Sequence, residues 1–523
     1  MTWQLRTVDP ALEREWIAKG WWTEASLGSM LHDGLRDHGD EPFTVRSSVR
    51  PHATTLADVR KEALTLAQGL RDRGVGAGDV VGFQLPNWVE AAYVFYAASF
   101  LGAVVMPIVH FYGPKEVGYI LRKTPPKAFV TFDHFGALSG TATLLASDAP
   151  FPELVAVVGD DLAGFEALDA WFGAGGLEAP APVDAASPAL IAYTSGTTSD
   201  PKGVVHTHRT IGFEVRQLSS AQPTKAPPSI VGAPVGHGIG MLAALLIPAV
   251  QGKPIHLIDV WDPGTILQQM ADEELMSGTG ATYFLTSLLD HPNFDPEVHI
   301  PLMRYIGLGG AAVPAAVAER ATALGISIVR MYGSTEHPSI TGSTHDDPLE
   351  KRAGTDGHPL DGCELRLAED GEIESRGPDC FAGYTDPELT ATVFDAEGWY
   401  HTGDIGVLDD DGYLTITDRK SDVIIRGGEN VSAAEVEGVL AHIDGVLECA
   451  VVAAPDARLG EHACAFVRGT APSMEDVQTA MSAAGLARQK WPEEIREIVE
   501  FPRTASGKIQ KFVLRQQLSQ EAG

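Results

Sequence analysis

Four short runs in the first third of the chain, Asp79 to Leu85, Ala103 to Met106, Ala128 to Phe132 and Leu154 to Val158, are apolar along most of their length instead of at alternate positions. A strand that is apolar on both sides must be covered on both faces, which is the signature of a parallel sheet sandwiched between helices. The stretches between the runs supply such helices. Thr55, with Asp58 three residues on, caps a segment whose apolar positions Leu56, Val59, Ala63, Leu66, Ala67 and Leu70 follow helical spacing as far as Gly74. A second helix is expected from Asn87, after Pro86, and it leads into the run at Ala103. Strand, helix and strand in that order form the βαβ unit of α/β folds, and a further apolar run, Met303 to Gly307, extends the pattern well beyond the opening third.

Ala91 to Ile108 contains no charged residue and reaches the length at which a membrane span has to be weighed. Ser99, Gly102 and Pro107 interrupt it, so it reads better as the end of the second helix followed by a strand. From about Thr355 the texture changes. Cys363 to Leu367, the Asp370-Gly371 turn and Glu372 to Ser375 read as antiparallel hairpin strands, as do Asp411-Gly412 and Tyr413 to Thr417. Beyond Asp418, helices at Ala434 to His442 and after the Ser473/Asp476 cap alternate with strands at Cys449 to Ala453 and Ala463 to Val467. This predicts two domains, residues 1–418 and 419–523, the second of ordinary domain size.

Composition limits the partners. The 523 residues carry 38 Lys and Arg against 70 Asp and Glu, a formal charge of −32, which opposes phosphate backbones and anionic lipid over most of the surface. Nucleic acid and membrane are therefore not expected as principal partners, while a small anionic substrate needs only a local positive site. The four cysteines, Cys363, Cys380, Cys449 and Cys464, lie far apart without a CxxC pair, and Met1 to Pro10 lacks an apolar signal core, as expected of a reduced cytoplasmic protein without structural zinc. His206 and His208 have no third and fourth ligand at metal spacing.

The segment richest in chemistry is Tyr193-Thr194-Ser195-Gly196-Thr197-Thr198-Ser199-Asp200-Pro201-Lys202-Gly203. Hydroxyl and backbone N–H donors precede one fixed cation, which suits a polyphosphate, and the apolar residues on either side make it an anchored turn instead of a linker. It is not the common nucleotide-binding loop, since Gly203 follows Lys202 where Ser or Thr would stand.

This segment resembles the phosphate-binding signature of the adenylate-forming superfamily, which includes acyl-CoA synthetases, peptide-synthetase adenylation domains and luciferases. Ser199 stands where the family usually has Gly. Further resemblances follow in the family order. Gly309-Gly310-Ala311-Ala312 and Tyr332-Gly333-Ser334-Thr335-Glu336 resemble the segments that hold adenine and AMP, and Tyr400-His401-Thr402-Gly403-Asp404 the one whose Asp binds the ribose hydroxyls. Asp418-Arg419-Lys420-Ser421-Asp422 with Arg426-Gly427-Gly428-Glu429-Asn430 resembles the hinge and the start of a mobile domain, and Pro502 to Lys508 the terminal segment with the catalytic lysine.

The resemblance implies a large amino-terminal region of two related α/β subdomains plus a β-barrel, with a small mobile α+β domain after it. It assigns nucleotide binding to Thr194, Ser195, Gly196, Thr197, Thr198, Lys202, Gly310, Ala311, Ala312, Tyr332, Gly333, Ser334, Thr335, Asp404 and Arg419. Glu336 offers a hard oxygen for Mg²⁺, Asp404 can accept two hydroxyl donors, and Arg419 presents a planar fork to phosphate or ribose. Lys508 would place a point cation where charge accumulates as a carboxylate attacks the α-phosphate. His237, within Pro234 to Gly240, matches the position beside the substrate carboxylate. The acid pocket by family position comprises His237, Gly238, Ile239, Tyr283, Phe284, Met331 and His337, a mostly apolar wall.

The resemblance implies a two-step carboxylate-CoA ligase that uses ATP and CoA as cosubstrates and Mg²⁺ as cofactor. Its acid would be hydrophobic: medium-chain, alicyclic, aromatic or sterol-derived. Arg426, Gly427 and Gly428 are assigned to CoA and Ser421 to the hinge, where relatives carry Asp or Lys. The alternatives are a stand-alone aryl-acid adenylating enzyme that loads a carrier protein, a luciferase-like monooxygenase, and a regulator that has lost catalysis; the joint presence of Lys508, Glu336 and Asp404 speaks against the last.

Overall fold

The computed structural model describes residues 3–194, 201–221, 226–310, 313, 315–427, 429–456, 458–503 and 509–522. They fall into two compact units, one drawn from residues 3–194, 201–364 and 375–400, the other from residues 365–374 and 401–522. The fold is α/β, with a small carboxy-terminal domain.

The first unit is built on an eight-stranded sheet. Its order is Gly383–Tyr384, Lys202–Thr207, Pro188–Thr194, Val104–Ile108, Val80–Gln84, Ala128–Phe132, Leu154–Val158 and Glu166–Ala167. The pairings from Pro188–Thr194 to Glu166–Ala167 are parallel, and the two at the other edge are antiparallel. Val80–Gln84, Val104–Ile108 and Ala128–Phe132 are buried at every position, as their largely apolar character leads one to expect, with Gln84 and Thr131 the buried polar exceptions. The capped helix forms as Leu56–Asp72, with the Asp58 N–H donating to Thr55 Oγ1 at 3.2 Å. Among the described residues no helix is long and apolar enough to cross a membrane: the stretch from Ala91 divides at Gly102, in the left-handed region at φ 66°, into the helix Val89–Phe100 and the strand Val104–Ile108.

Two expectations shift. Trp88, not Asn87, is the residue that precedes the second helix, and its side chain makes no capping bond. The run expected at Met303 to Gly307 forms a strand two residues later, Tyr305–Gly309, because the Met303 N–H donates to His299 O at 3.0 Å and closes the helix Pro296–Leu302. That strand pairs in parallel with Ser327–Tyr332, while Ile255–Ile258 pairs in parallel with Pro42–Arg46 in another sheet of this unit.

In the second unit Tyr400–Leu408 and Leu414–Arg419 form an antiparallel pair with Asp404 opposite Arg419 and a bulge between Ile405 and Gly406. A five-stranded sheet follows, centred on Val446–Asp456 and Gly460–Gly469. Alternate residues face opposite cores. Val451, Ala463 and Ala465 pack with Val436, Leu440, Val477 and Met481, whereas Ala450, Val452, Cys464 and Phe466 pack with Phe501, Leu514 and Leu518. The Ser473/Asp476 capping box begins the helix Met474–Ala483 as expected.

Candidate active site

In the first unit the phosphate-loop candidates are delivered by a hairpin edge. Thr194 and Lys202 are register partners, and Tyr193 is opposite Gly203. A side chain at Gly203 would stand 2.7 Å from Thr385 Oγ1 and 2.9 Å from Tyr193 Cζ, so the glycine lets the edge close. Ser195, Gly196, Thr197, Thr198 and Ser199 lie outside the described residues, as do Ala311, Ala312, Gly428 and Lys508.

Lys202 Nζ stands 5.4 Å from the centroid of the Tyr384 ring. The Tyr384 hydroxyl donates to Glu336 Oε1 at 2.8 Å. Burial, then the charge of Glu336, pushes the Tyr384 phenol far above its ordinary range, so it remains a donor at any pH of interest. The backbone of Glu336 is held as well, its carbonyl accepting from the Phe381 N–H at 2.7 Å. Next to it the Thr335 carbonyl accepts from His206 Nε2 at 2.8 Å, and burial pushes this imidazole down, toward the neutral form with its proton on that nitrogen. His208 instead accepts the Leu27 N–H at Nδ1, 3.1 Å away. One cation, one carboxylate and one phenol are thereby gathered at the mouth of the loop whose ends are Thr194 and Lys202.

The acid-pocket candidates form a second group. His237 precedes the helix Gly238–Met241, and its Nδ1 accepts the Ile239 N–H at 3.4 Å. That helix runs directly into a π-helical turn, Leu242–Leu246, a wider winding often found beside functional sites. The segment before it is pinned by Asn87, which is 2% exposed. Asn87 Nδ2 donates to Ala233 O and Ile258 O, each at 3.0 Å, and Oδ1 accepts the Val235 N–H at 2.9 Å. Around Ile239 the chain is stripped of side chains: a Cβ on Gly310 would lie 2.7 Å from Ile239 Cδ1, and one on Gly280 would lie 3.6 Å from both Ile239 Cγ2 and Phe284 Cδ2. Gly310 has φ 76° and Gly280 φ 115°, which only glycine adopts without strain. Met331 pairs with Gly309, bringing it alongside Gly310, while Tyr283 is 61% exposed. A Cβ on Gly238 would meet nothing within 4 Å.

His337 does not join this group. It is fully buried, with Nδ1 2.8 Å from Ser375 Oγ and Nε2 donating to Asp379 Oδ1 at 3.2 Å. A ring with both nitrogens engaged inside the protein packs the turn instead of lining a wall. Tyr332 is buried, and Gly333 has no room for a side chain, since its Cβ would lie 1.9 Å from Pro338 O.

In the second unit Asp404 and Arg419 are ion-paired, Oδ1 to Nε, at 3.1 Å. The Ser421 carbonyl accepts from Arg515 at 3.2 Å, and Arg515 also pairs with Asp422 at 2.9 Å. Arg426 pairs with Glu493, and Gly427, at φ 60°, donates its N–H to Leu459 O at 2.8 Å.

Tyr384, Asn87 and His206 carry much of this geometry, although the sequence assigned none of them to the site. Tyr384 arrives through the pairing of Gly383–Tyr384 with Val204 and Val205, far away along the chain, and no local spacing signals that.

Comparison with known proteins places this geometry in context. Residues 31–385 match the AMP-binding enzyme family, and residues 435–508 match the AMP-binding enzyme C-terminal domain. The chain is 33% identical to a medium-chain fatty-acid–CoA ligase of Escherichia coli strain K12, over 96% of this chain and 92% of the relative. It is 34% identical to a methyl-dioxo-octahydroindenyl-propanoyl:CoA ligase of Rhodococcus jostii, over 94% and 98%. Among solved structures, ATP-bound MatB from Rhodopseudomonas palustris superposes with a TM-score of 0.81 at 28% identity, covering 94% of this chain and 99% of that one.

Proposed function

Because the chain belongs to the AMP-binding enzyme family, we propose that it joins a hydrophobic carboxylic acid to CoA through an acyl-adenylate formed on the residues described above. It is an acid–thiol ligase that forms acyl-CoA with cleavage of ATP. The reading rests on one observation above the rest: Lys202, Tyr384 and Glu336 stand in sequence at the base of the loop that begins after Thr194.

In the first half-reaction an oxygen of the acid's carboxylate attacks the α-phosphate of ATP, and pyrophosphate leaves. Lys202 offers its charge to the phosphates, while Lys508 is assigned the charge that builds on the transferring group. Glu336 would hold Mg²⁺, and the fit is chemical: a nearly buried carboxylate, 9% exposed, whose Oε1 accepts a hydrogen bond from the Tyr384 phenol and whose hard oxygens suit the ion. When bound, the ion offsets the charge of the triphosphate. Gly310, with the Tyr332 to Thr335 segment, is assigned to adenine and AMP, and Asp404 with Arg419 to the ribose. In the second half-reaction the CoA thiol attacks the acyl carbonyl and AMP departs; Arg426, Gly427 and Gly428 are assigned to CoA. Residues 1–418 act as the adenylation part and 419–523 as the domain that carries Lys508.

The acid is placed beside His237 and along Ile239, Phe284 and Met331. Glycines at 280 and 310 let Ile239 pack close to their backbone, and the apolar side chains of Ile239, Phe284 and Met331 suit an apolar group such as a medium chain or an alicyclic ring. A medium-chain and a bicyclic acid are named for two relatives of the whole chain, and this supports the same class here. Pyrophosphate release measured over a panel of acids, followed by CoA-dependent AMP release, tests the reading. Turnover with short, charged acids in preference to apolar ones would refute it.

A further inference from the structure

We propose that Glu214, Asp379 and His337 form a buried positioning cluster that fixes the Ser334–Glu336 turn, so that the Glu336 carboxylate is held in place for metal and phosphate. This rests on the reading of Glu336 as the metal-holding residue. The turn closes on itself through two bonds, the Ser334 N–H to His337 O at 2.9 Å and the His337 N–H to Ser334 Oγ at 3.2 Å. Its far end, the His337 ring, is anchored on Asp379. Asp379 stands two residues before Phe381, whose N–H holds the Glu336 carbonyl, and five before Tyr384, whose hydroxyl holds the Glu336 carboxylate. The Asp379 to Tyr384 strap therefore grips Glu336 by main chain and side chain, and the His337–Asp379 bond ties strap and turn into one body.

Behind the strap lies a second carboxyl. Glu214, on the helix His208–Ala221, accepts from Ser339 Oγ at 2.8 Å and lies close enough to Asp379 to feel its charge. Both carboxyls are 0% exposed. Glu214 Oε2 and Asp379 Oδ2 receive no N–H or O–H among the described residues, so neighbouring buried carboxyls cannot both carry charge without cost. Burial and then the charge of Asp379 push Glu214 well up, whereas the imidazole of His337 holds Asp379 low against its own burial. Within the pair the proton is accordingly favoured on Glu214 and the charge on Asp379.

Cys363 touches the same cluster. Its Sγ is 3.6 Å from His337 Nε2 and 3.5 Å from Asp379 Oδ1, separations that would also suit the edges of a tetrahedral metal site. The hydrogen-bonded reading is favoured because the thiol is 3.2 Å from Ser339 O, a partner that requires its proton.

The test uses the full chain, with Mg²⁺ titrated against pyrophosphate release, kcat and KM for ATP resolved separately, and melting and zinc content recorded. Glu336→Gln serves as the reference. Asp379→Asn should raise the half-saturating Mg²⁺ about tenfold, in parallel with Glu336→Gln, while leaving KM for the acid unchanged. Glu214→Gln should keep wild-type Mg²⁺ dependence, because its amide is neutral, as the protonated carboxyl is; Glu214→Ala should follow Asp379→Asn. If Asp379→Asn does not fold, His337→Gln decides by the same Mg²⁺ shift. The proposal is overturned if Glu336→Gln moves the Mg²⁺ requirement and folded Asp379→Asn does not, if Glu214→Gln is as harmful as Asp379→Asn, or if stoichiometric zinc in the wild type vanishes with Asp379→Asn. An unmoved Mg²⁺ requirement in Glu336→Gln itself refutes the metal reading and, with it, the purpose of the cluster.

Discussion

A single side chain can be tested where its chemistry is confined to one half-reaction, and Lys508 is assigned the charge that develops when the adenylate forms. Lys508→Ala should lower ATP-dependent pyrophosphate release by roughly two to three orders of magnitude, the usual loss when one well-placed electrostatic donor is removed. Transfer of a preformed acyl-adenylate to CoA should continue at near wild-type rate. Adenylation at undiminished speed in a rapid-quench experiment would remove Lys508 from the phosphate chemistry. The same scale shows why Glu336 reads more firmly than an isolated loop carboxylate: its partner Tyr384 stays protonated, so the carboxylate has a donor and no competitor for its charge.

At the scale of elements, function depends on how segments are pinned. Asn87 holds the turn at Ala233 and Val235 that leads to His237, using all of its useful hydrogen-bonding capacity on three backbone groups. Asn87→Ala should leave those groups unsatisfied and cost about 1 to 3 kcal/mol of stability. It should also raise KM for the acid more than KM for ATP, which urea unfolding together with steady-state kinetics would reveal; equal rises in both constants would separate the pinning from the acid site. In the second unit the turn after Leu414–Arg419 is braced by the last helix, Arg515 reaching the Ser421 carbonyl and Asp422 while Lys511 pairs with Glu437 at 2.8 Å. Ser421→Pro fixes φ at the proposed pivot. Adenylation should persist while thioester formation falls at least about tenfold, and parallel loss of both half-reactions would speak against Ser421 as the hinge.

For the whole molecule, acid should weaken the first unit before its carboxylates titrate. Burial pushes His110 and His208 down to about 4. Both folded values lie below the ordinary 6.5, so each ring is neutral when folded and gains a proton on unfolding once the pH falls beneath 6.5. Their contribution is full above that pH and disappears toward 4, worth at most roughly 3 kcal/mol apiece. The urea midpoint should therefore already drop between pH 6.5 and 5.5, and His208→Gln should flatten that slope; a midpoint constant over the interval would contradict the burial argument. Much of this architecture was legible in the chain itself. Runs such as Ala128–Phe132 and Leu154–Val158 form strands at the predicted residues because a strand covered on both faces favours apolar side chains at successive positions, a property written in consecutive letters. The caps at Thr55 and Ser473 act over three residues and are likewise local. The order of chemically loaded segments, from Thr194 to Lys508, was also legible through their resemblance to the segments of the adenylate-forming superfamily. Tertiary structure alone decided that Asn87 reaches Ala233 and Ile258, that His337 turns inward to Asp379, and that Tyr384 meets Glu336. Each of these joins residues separated by 42 or more positions, and a hydrogen bond depends on where the sheets bring donor and acceptor, which no local periodicity records.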